Sequence, residues 1–290
     1  MASAISSIPA MAEPLLEATG LTVSFPTAAG GKVDVVKGIS FAVGAERVAL
    51  VGESGSGKTM TARALMGLVP PPGRASADRL RLDGADIRSL TPPGWNAIRG
   101  ARIGLVLQDP RFALNPLHRV GRQIEEPLRL HSRLSRAERR ERSLAMIAAV
   151  GLDNPREVHR LYPGELSGGM GQRVMIAIML VCGPRLLIAD EPTSALDHDL
   201  RDQILALLTG LVEKQQMGLL LISHDLQQVA RFADRVLVMY RGRIVDERPA
   251  ADLPYSTHPY TRTLWTCRPS PMTYGTRLPT LVRANLEAPP

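Results

Sequence analysis

The residues with the clearest chemistry form the stretch Gly-Glu-Ser-Gly-Ser-Gly-Lys-Thr at positions 52–59. Glycines at this spacing, followed by lysine and threonine, match the phosphate-binding P-loop. The glycines let backbone N–H groups turn toward phosphate oxygens without a Cβ in the way. Lys58 supplies a cation for the terminal phosphates, and the Thr59 hydroxyl is placed to hold Mg²⁺. The predicted nucleotide-binding residues are Gly52, Glu53, Ser54, Gly55, Ser56, Gly57, Lys58, Thr59 and Met60.

The elements that must position this loop are visible on both sides of it. An apolar run, Val48–Val51, precedes the loop, and a helix-compatible run, Met60–Leu68, follows it. A helix that begins there points its partly positive N-terminus at the phosphates. A chance glycine-rich turn would not require both flanks, so the context of strand, loop and helix favours a true nucleotide site.

Two carboxylates follow a second apolar strand, Leu186–Ala189. In sheets of this kind ligands bind at the carboxyl ends of the strands. Asp190 is predicted to hold the Mg²⁺ shared by the phosphates, and Glu191 to polarise the attacking water. One acid for the metal and one for the water is what phosphoryl transfer needs, because that reaction depends on positioning and charge neutralisation.

Two further polar residues end neighbouring predicted strands. His224 ends the strand after the acidic pair, where its imidazole could donate a hydrogen bond to the γ-phosphate. Gln108 ends the strand Ile103–Leu107, where its amide could reach the Mg²⁺ or the attacking water. A lone histidine or glutamine at a strand end is ordinarily a surface residue. With Lys58 and Glu191 present, we predict that Gln108 and His224 complete a catalytic set.

A second anion site is predicted where a serine and two glycines precede a helix expected over Gln172–Val181. Hydroxyl and N–H groups at a helix start bind anions. Two copies of the chain arranged head to tail would let this stretch cover the nucleotide of the facing subunit. Its residues are Leu166, Ser167, Gly168, Gly169 and Met170.

Composition limits the remaining possibilities. The longest unbroken apolar run in these 290 residues, Val174–Cys182, is far shorter than the roughly 18–20 residues that span a bilayer. Residues 1–14 lack the pattern of a signal peptide. Two cysteines do not suggest a disulfide framework. These features predict a soluble or peripheral cytoplasmic protein.

The formal net charge is +7, and nearly all the basic residues are arginine. The densest basic cluster, Arg129–Arg142, is interrupted by two glutamates and contains no aromatic residue. Binding to single-stranded nucleic acid usually relies on aromatic stacking as well as positive charge. We therefore interpret the cluster as a solvated helix face and predict no nucleic-acid partner.

Along the chain, the pattern predicts an α/β fold with a mostly parallel core sheet, an antiparallel β subdomain and a helical insertion. Residues 15–50 suggest short antiparallel strands, for example Val33–Val36 and Ile39–Val43. Ser135 and Glu138 form a capping box within the helical block. The expected organisation is a flexible N-terminus at 1–14, an ATPase domain at 15–250 with a helical subdomain at about 110–170, and a C-terminal extension at 251–290.

These motifs together resemble the ATP-binding subunit of an ABC transporter, a P-loop NTPase. The P-loop, Gln108, the stretch 166–170, the acids at 190–191 and His224 occur in that family's order. By this resemblance Ser194 and Asp197 belong to a loop that crosses the dimer interface. Phe25 occupies the region where the family stacks an aromatic ring on adenine, although one phenylalanine in a strand is usually a core residue. The implied cofactors are ATP and Mg²⁺.

Finer features resemble the oligopeptide, dipeptide and nickel importer branch of the family. They are Leu114-Asn-Pro-Leu-His118, Val120-Gly121, Gln123-Ile124, Leu161-Tyr-Pro-Gly-Glu165, Met170 and His258-Pro-Tyr-Thr261. The resemblance implies a peripheral subunit on the cytoplasmic face of the inner membrane. Its implied direct partners are a second ATPase subunit, which is similar or identical to this chain, and two transmembrane permease subunits that dock on the helical insertion. An extracytoplasmic substrate-binding protein is an implied indirect partner.

The chain departs from this branch in three ways, one of which is a tail after Pro269 that is not matched to the branch. Position 171 is glycine where the branch usually has arginine, which could loosen the helix or alter a partner contact. Some members carry a C-terminal cysteine cluster, whereas this chain has only Cys267 there and Cys182 in a predicted helix, so we predict no iron–sulfur cluster.

The leading hypothesis is an ATPase that energises uptake of oligopeptides or dipeptides. A second hypothesis keeps the ATPase activity but makes the cargo nickel or a metal chelate. The cargo stays open because the permeases and the binding protein select it, and this chain does not. A third, of another class, is a soluble ABC protein that acts on DNA or ribosomes. A regulatory, non-hydrolysing ATP sensor is disfavoured by Glu191 and His224.

Overall fold

The computed structural model describes residues 13–194 and 196–267. The strands are β1 (Leu16–Pro26), β2 (Lys32–Val43), β3 (Arg47–Val51), β4 (Arg74–Ser76), β5 (Arg79–Leu82), β6 (Ala85–Asp86), β7 (Ile103–Val106), β8 (Leu186–Asp190), β9 (Gly218–Ser223), β10 (Arg235–Tyr240) and β11 (Arg243–Pro249). The helices are α1 (Lys58–Leu65), α2 (Pro92–Ile98), α3 (Pro110–Ala113), α4 (Val120–His131), α5 (Arg136–Ala149), α6 (Pro155–Val158), α7 (Gly168–Leu180), α8 (His198–Lys214), α9 (Leu226–Phe232) and α10 (Pro259–Thr266). Short 3-10 helices span Pro163–Glu165 and Ala250–Tyr255.

The core sheet has the strand order β11-β10-β3-β9-β8-β7, and all neighbours except β11 and β10 run parallel. Parallel strands buried on both faces are continuous apolar runs. Along β3, Val48 and Leu50 pack on one face, while Ala49 and Val51 pack on the other. β3 thus lies in the middle of the sheet, so the P-loop emerges at its centre.

The antiparallel sheet has the order β2-β1-β5-β6, and β4 also pairs with β1. We predicted two separate strands in 33–43, but the structure has one strand, β2. Gly38 adopts a φ of 63°, which is accessible to glycine without a steric penalty, so the pairing with β1 continues past it. Ala62 and Leu65 of α1 share one apolar cluster with residues of both sheets. The two sheets therefore enclose the helix that follows the P-loop.

Helices α3 to α7 connect β7 to β8. The predicted capping box is confirmed at the start of α5. Ser135 N–H donates to the Glu138 carboxylate at 2.7 Å, and Glu138 N–H donates to the Ser135 hydroxyl at 3.3 Å. Ile124, Leu128 and Ile147 are buried in a cluster that includes α7 and α8. The predicted fold class is confirmed, whereas the division of the chain into domains stays a prediction.

Two helix boundaries differ from the sequence prediction. α1 begins at Lys58 rather than Met60 and ends before Gly67, which has a φ of 61°. α7 begins at Gly168 rather than at Gln172, and Cys182 lies beyond its end. Glycine disfavours helix interiors, but the Ser167 hydroxyl accepts a hydrogen bond from Met170 N–H at 3.3 Å. Because Ser167 caps the helix, the glycines form its first turn.

The segment Ala250–Cys267 packs on the core, although its sequence pattern had predicted only an extension. Leu253 and Tyr260 are buried in a cluster with Val236 and Val238 of β10. β11 was not predicted because its residues are mostly polar and none is fully buried, and α10 was not predicted because prolines interrupt the periodicity of its region. Pro259, however, occupies the first turn of α10, where its missing N–H costs nothing. The described residues do not include 1–12 and 268–290. Most of the predicted N-terminal segment and the end of the predicted extension therefore lie outside them.

Asp246 of β11 anchors this C-terminal segment. Its carboxylate accepts hydrogen bonds from the Thr261 hydroxyl at 2.6 Å and the Ser256 hydroxyl at 3.0 Å, and it pairs with Arg248 at 2.8 Å. Burial alone would raise the pKa of Asp246. The hydrogen bonds from Arg248, Thr261 and Ser256 outweigh burial and hold that pKa below its ordinary value of 3.8.

Replacing Asp246 by alanine is expected to destabilise the protein by about 2 kcal/mol, because two hydroxyls and a guanidinium lose their acceptor. The midpoint of thermal unfolding at neutral pH should fall by roughly 4–8 °C. Since the folded-state pKa is lowered, the carboxylate's contribution is present above pH 3.8 and disappears as the pH falls through the folded pKa. Asp252→Ala, at an exposed position in the same segment, is the control. Equal midpoints for the two variants would contradict the anchoring role.

Within the part of the chain that the structure describes, no helix combines the length and the apolar character needed to cross a membrane.

Candidate nucleotide site

The P-loop connects β3 to α1 and is held in shape by its own lysine. Lys58 is buried, and its Nζ donates to the Gly52 carbonyl at 2.8 Å and to the Glu53 carbonyl at 3.0 Å. Burial lowers the pKa of Lys58, while the carboxylates of Glu191, Asp190 and Glu53 oppose that shift. The ammonium group thus lies at the centre of the loop and close to the acidic residues of the next strands.

Two P-loop glycines sit where no larger residue fits. A Cβ at Gly52, which has a φ of 153°, would collide with the Met239 carbonyl oxygen. A Cβ at Gly57, with a φ of 111°, would lie 2.9 Å from the Val35 carbonyl oxygen. Gly55, by contrast, has open space around it. The loop is therefore pressed against β10 and β2 at its two ends and open in its middle.

The interior of the loop offers unpaired polar groups. The Ser56 hydroxyl is buried and has no hydrogen-bond partner among the described residues. The backbone of the same residue is fixed, because its N–H donates to the Glu53 carbonyl at 3.2 Å and its carbonyl accepts from Gly242 N–H at 2.9 Å. A buried polar group without a partner is costly unless a ligand satisfies it. This cradle fits a phosphate group.

Replacing Gly52 by alanine is expected to destabilise the protein by about 3 kcal/mol, because the methyl group must displace the β10 backbone. The thermal unfolding midpoint should fall by roughly 6–12 °C. Gly55→Ala is the matched control: its φ of 81° is also left-handed, but no atom obstructs the methyl group. If the two variants unfold at the same temperature, the close packing of Gly52 against Met239 does not matter for stability.

Asp190, the last residue of β8, reaches the P-loop. Its carboxylate accepts a hydrogen bond from the Thr59 hydroxyl at 3.2 Å. Burial and the neighbouring Glu191 raise the pKa of Asp190, while Thr59, Arg63 and Lys58 lower it, and the net shift is upward. Hydroxyl and carboxylate oxygens side by side are the hard ligands that Mg²⁺ prefers. The structure therefore places together two of the three predicted metal ligands.

Glu191 and His224 meet at the ends of adjacent strands. β8 and β9 pair in parallel, and the Glu191 carboxylate lies 3.2 Å from His224 Nδ1. Glu191 has a φ of 48°, and its N–H donates to the Ile222 carbonyl of β9 at 3.0 Å. The His224 side chain is 57% exposed, whereas that of Glu191 is 23% exposed. The pair thus lies at the solvent-facing edge of the P-loop site.

Gln108, the third predicted ligand, follows β7, which neighbours β8 at the same edge of the sheet. Its side chain is exposed. The next residue, Asp109, caps α3 through a 2.9 Å hydrogen bond from Arg111 N–H. Gln108 is therefore at the predicted edge of the sheet, and its assignment as a ligand stays a prediction.

The stretch Leu166–Met170 lies at the start of α7, and Gln172 of the same helix donates to the Pro192 carbonyl, just after the acids of β8, at 2.5 Å. Ser167 and Gly168 are exposed, and no atom lies within 4 Å of the Cβ position of Gly168. Leu166 and Met170 pack on the helical cluster. A Cβ at Gly171 would make ordinary contact with Pro110 at 3.5 Å. An open serine–glycine helix start is suited to an anion from outside the chain.

The residues assigned to the dimer loop have local partners. The Ser194 hydroxyl donates to the Glu191 carbonyl at 3.1 Å. The Asp197 carboxylate caps α8 by accepting from Leu200 N–H at 3.0 Å. The first bond ties the loop after β8 to the residue predicted to polarise water, and the second lies within the start of α8.

Phe25 lies near the end of β1 and packs on the cluster shared by the two sheets. A Cβ at Gly73 would meet its ring at 2.5 Å, so the ring lies directly against the Gly73 backbone. The ring is partly buried rather than fully enclosed. Stacking of Phe25 on adenine stays a prediction.

Sequence reasoning missed Tyr260, whose side chain forms a hydrogen bond with the P-loop. Glu53 N–H donates to the Tyr260 hydroxyl of α10 at 3.1 Å. The stretch His258-Pro-Tyr-Thr261 resembles a feature of the importer branch, but nothing in its spacing indicates where the tyrosine points. Only the packing of α10 on β10 and α9 brings it to the loop.

The family model described as ABC transporter matches residues 36–194, a span from β2 to the loop after Glu191. The chain belongs to the ABC transporter family. The match includes the P-loop, the serine–glycine start of α7 and the acidic end of β8.

The chain is similar to peptide-transport ATP-binding proteins over 220–255 residues. The chain is 45% identical over 220 residues to the dipeptide transport ATP-binding protein DppD of Haemophilus influenzae, covering 76% of this chain and 67% of that protein. It is 42% identical over 250 residues to the oligopeptide transport ATP-binding protein OppD of Bacillus subtilis, covering 85% and 70%. It is 44% identical over 255 residues to OppD of Salmonella typhimurium, covering 87% and 76%.

Solved ABC structures share the fold. The chain resembles the dimeric post-hydrolysis state of the ATP-binding cassette MJ0796 bound to ADP and Pi, with a TM-score of 0.71 and 27% identity over 81% of this chain and 98% of that one. It also resembles cbiO1 of Clostridium perfringens, part of the ABC transporter complex cbiONQ, with a TM-score of 0.69 and 25% identity over 84% and 92%.

Proposed function

We propose that this chain hydrolyses ATP to energise an ABC importer of dipeptides or oligopeptides. The observation that carries the proposal is its 42–45% identity to peptide-transport ATP-binding proteins. The site supports hydrolysis rather than passive binding, because Glu191 and His224 lie in contact beside the P-loop.

In the proposed reaction, water attacks the γ-phosphorus of ATP, and ADP and phosphate leave. The buried Lys58 ammonium turns its third N–H donor to a phosphate oxygen and gives up a loop carbonyl to bind a second one. The Ser56 hydroxyl and the loop N–H groups bind the remaining oxygens. Glu191 orients the attacking water through its carboxylate, and the Nδ1 contact with His224 holds that carboxylate in place.

The donor set near the P-loop fits Mg²⁺. Thr59, Asp190 and Gln108 would hold the ion, which when bound neutralises charge on the phosphates. Both Thr59 and Asp190 present oxygen atoms, and their 3.2 Å contact places those atoms together. The prediction that the chain carries no iron–sulfur cluster stays a prediction.

A second ATPase subunit, similar or identical, is proposed as the direct partner. The open serine–glycine start of α7 would cover the nucleotide of the facing subunit, and Ser194 and Asp197 would lie at that interface. The likeness to a dimeric cassette supports this arrangement. Two permease subunits, docked on helices α3 to α6, and an extracytoplasmic binding protein complete the proposed importer. Such an assembly would hold the chain at the cytoplasmic face of the inner membrane as a peripheral subunit.

The experiment that tests the function is purification of the tagged chain from detergent-solubilised membranes of its own cells, followed by reconstitution in vesicles. ATP-dependent accumulation of a labelled dipeptide or oligopeptide is the expected result. Accumulation of nickel instead of the peptide would show that the transported cargo is a metal. Recovery of the chain with ribosomes or DNA, without permeases, would contradict the importer proposal.

A further inference from the structure

One peptide group of the P-loop is held at both of its ends. The Gly52 carbonyl accepts a hydrogen bond from Lys58 Nζ at 2.8 Å. The N–H of the same peptide group, which belongs to Glu53, donates to the Tyr260 hydroxyl at 3.1 Å. Because a peptide group is planar, holding both ends fixes the orientation of its plane.

Tyr260 is itself firmly positioned. The residue is 1% exposed, and its ring centroid lies 4.5 Å from that of Tyr240, the last residue of β10. The next residue, Thr261, donates its hydroxyl to Asp246 at 2.6 Å. Burial raises the pKa of Tyr260 to about 12, so the hydroxyl stays neutral at physiological pH. The oxygen that meets the P-loop is thus a fixed, uncharged acceptor.

Nucleotide binding affects the two hydrogen bonds of this peptide group differently. Lys58 has three N–H donors and uses two of them on the Gly52 and Glu53 carbonyls, so it must give up at least one of these carbonyls to bind two phosphate oxygens. Tyr260 contacts the opposite edge of the peptide group and is not displaced. We propose that Tyr260 is a positioning residue for nucleotide binding, whose hydroxyl keeps the Gly52–Glu53 peptide group oriented while Lys58 moves to the phosphates. This inference rests on the proposed function.

Tyr260→Phe removes the hydroxyl and keeps the ring that packs on Tyr240. We expect the dissociation constant for MgATP, measured by calorimetric titration of the full chain, to rise about fivefold, because one net hydrogen bond is lost. The number of sites per chain should stay the same. A purely structural role would have the opposite effect, lowering the number of competent sites and leaving the dissociation constant unchanged.

Tyr240→Phe is the matched control. It removes the hydroxyl of the other ring in the same pair, and that buried hydroxyl has no partner among the described residues. Its dissociation constant should stay within twofold of the parent value. Equal dissociation constants for the parent and Tyr260→Phe would overturn the inference.

Hydrogen exchange tests the contact without nucleotide. The Glu53 amide should be protected in the nucleotide-free parent and in Tyr240→Phe, and should exchange at least several-fold faster in Tyr260→Phe. Fast exchange of this amide in the parent would overturn the inference. If the parent does not bind MgATP at all, the proposed function fails, while the exchange measurement still decides whether Tyr260 holds the loop.

Discussion

Replacing Glu191 by glutamine is expected to lower the ATP turnover of the assembled complex by about 10²–10⁴-fold, because the attacking water loses its orienting carboxylate. The phosphate cradle around Lys58 is untouched, so the affinity for ATP should stay within about twofold. The measurements are phosphate release at saturating ATP and a nucleotide titration of the same preparation.

The control for this variant is Glu213→Gln, the same substitution at an exposed position near the end of α8. It removes one negative charge from the chain without touching the site, and its turnover should equal that of the parent. A Glu191→Gln complex whose turnover stays within a few-fold of the parent would show that another group activates the water.

Lys58→Ala is expected to act on nucleotide binding itself. A charged hydrogen bond to phosphate is worth about 1.5–3 kcal/mol, which corresponds to a loss of roughly 10–150-fold in ATP affinity. The geometry supports a large effect, because the ammonium is buried at the centre of the loop rather than exposed at its rim. Titration of the purified chain with MgATP measures the change, and circular dichroism checks that the variant is folded.

Lys214→Ala is the natural control, since the chain has few lysines and this one lies at the exposed end of α8. Its affinity for MgATP should match that of the parent. Unchanged affinity in Lys58→Ala would refute the role assigned to this lysine. The variants at Lys58 and Glu191 also separate binding from turnover, because Glu191→Gln is expected to lower turnover and spare binding, whereas Lys58→Ala is expected to weaken binding itself.

The parts of this molecule that the sequence predicts well are those where one short stretch carries the whole signal. Each of three motifs can be recognised from a few consecutive residues. They are the P-loop glycines, the capping box at Ser135 and the acidic end of β8. The parallel pairing of β8 with β9 also followed from the sequence, because strands alternating with helices form parallel sheets. That pairing predicted that His224 ends a strand beside the one that carries the acids, and the structure adds its 3.2 Å contact with Glu191.

The parts that were missed depend on contacts between distant segments or on capping geometry. Tyr260 and the P-loop are separated by 207 positions, and no local pattern links them. The start of α7 was placed four residues late because glycine has low helix propensity, whereas the Ser167 cap decides the boundary. The need for glycine at position 52 was clear from the motif, but its cause, the Met239 carbonyl, required the structure.

The central position of β3 has a consequence for synthesis of the protein. β3 ends at Val51, and its two neighbours, β9 and β10, begin at Gly218 and Arg235. At about 5–20 residues per second, a ribosome needs on the order of ten seconds or more to make the first of these partners. During that interval the apolar strand that carries the P-loop has no neighbour in its own sheet. The nascent chain therefore exposes an aggregation-prone segment, and we expect its yield in cells to depend on chaperones that bind unpaired strands.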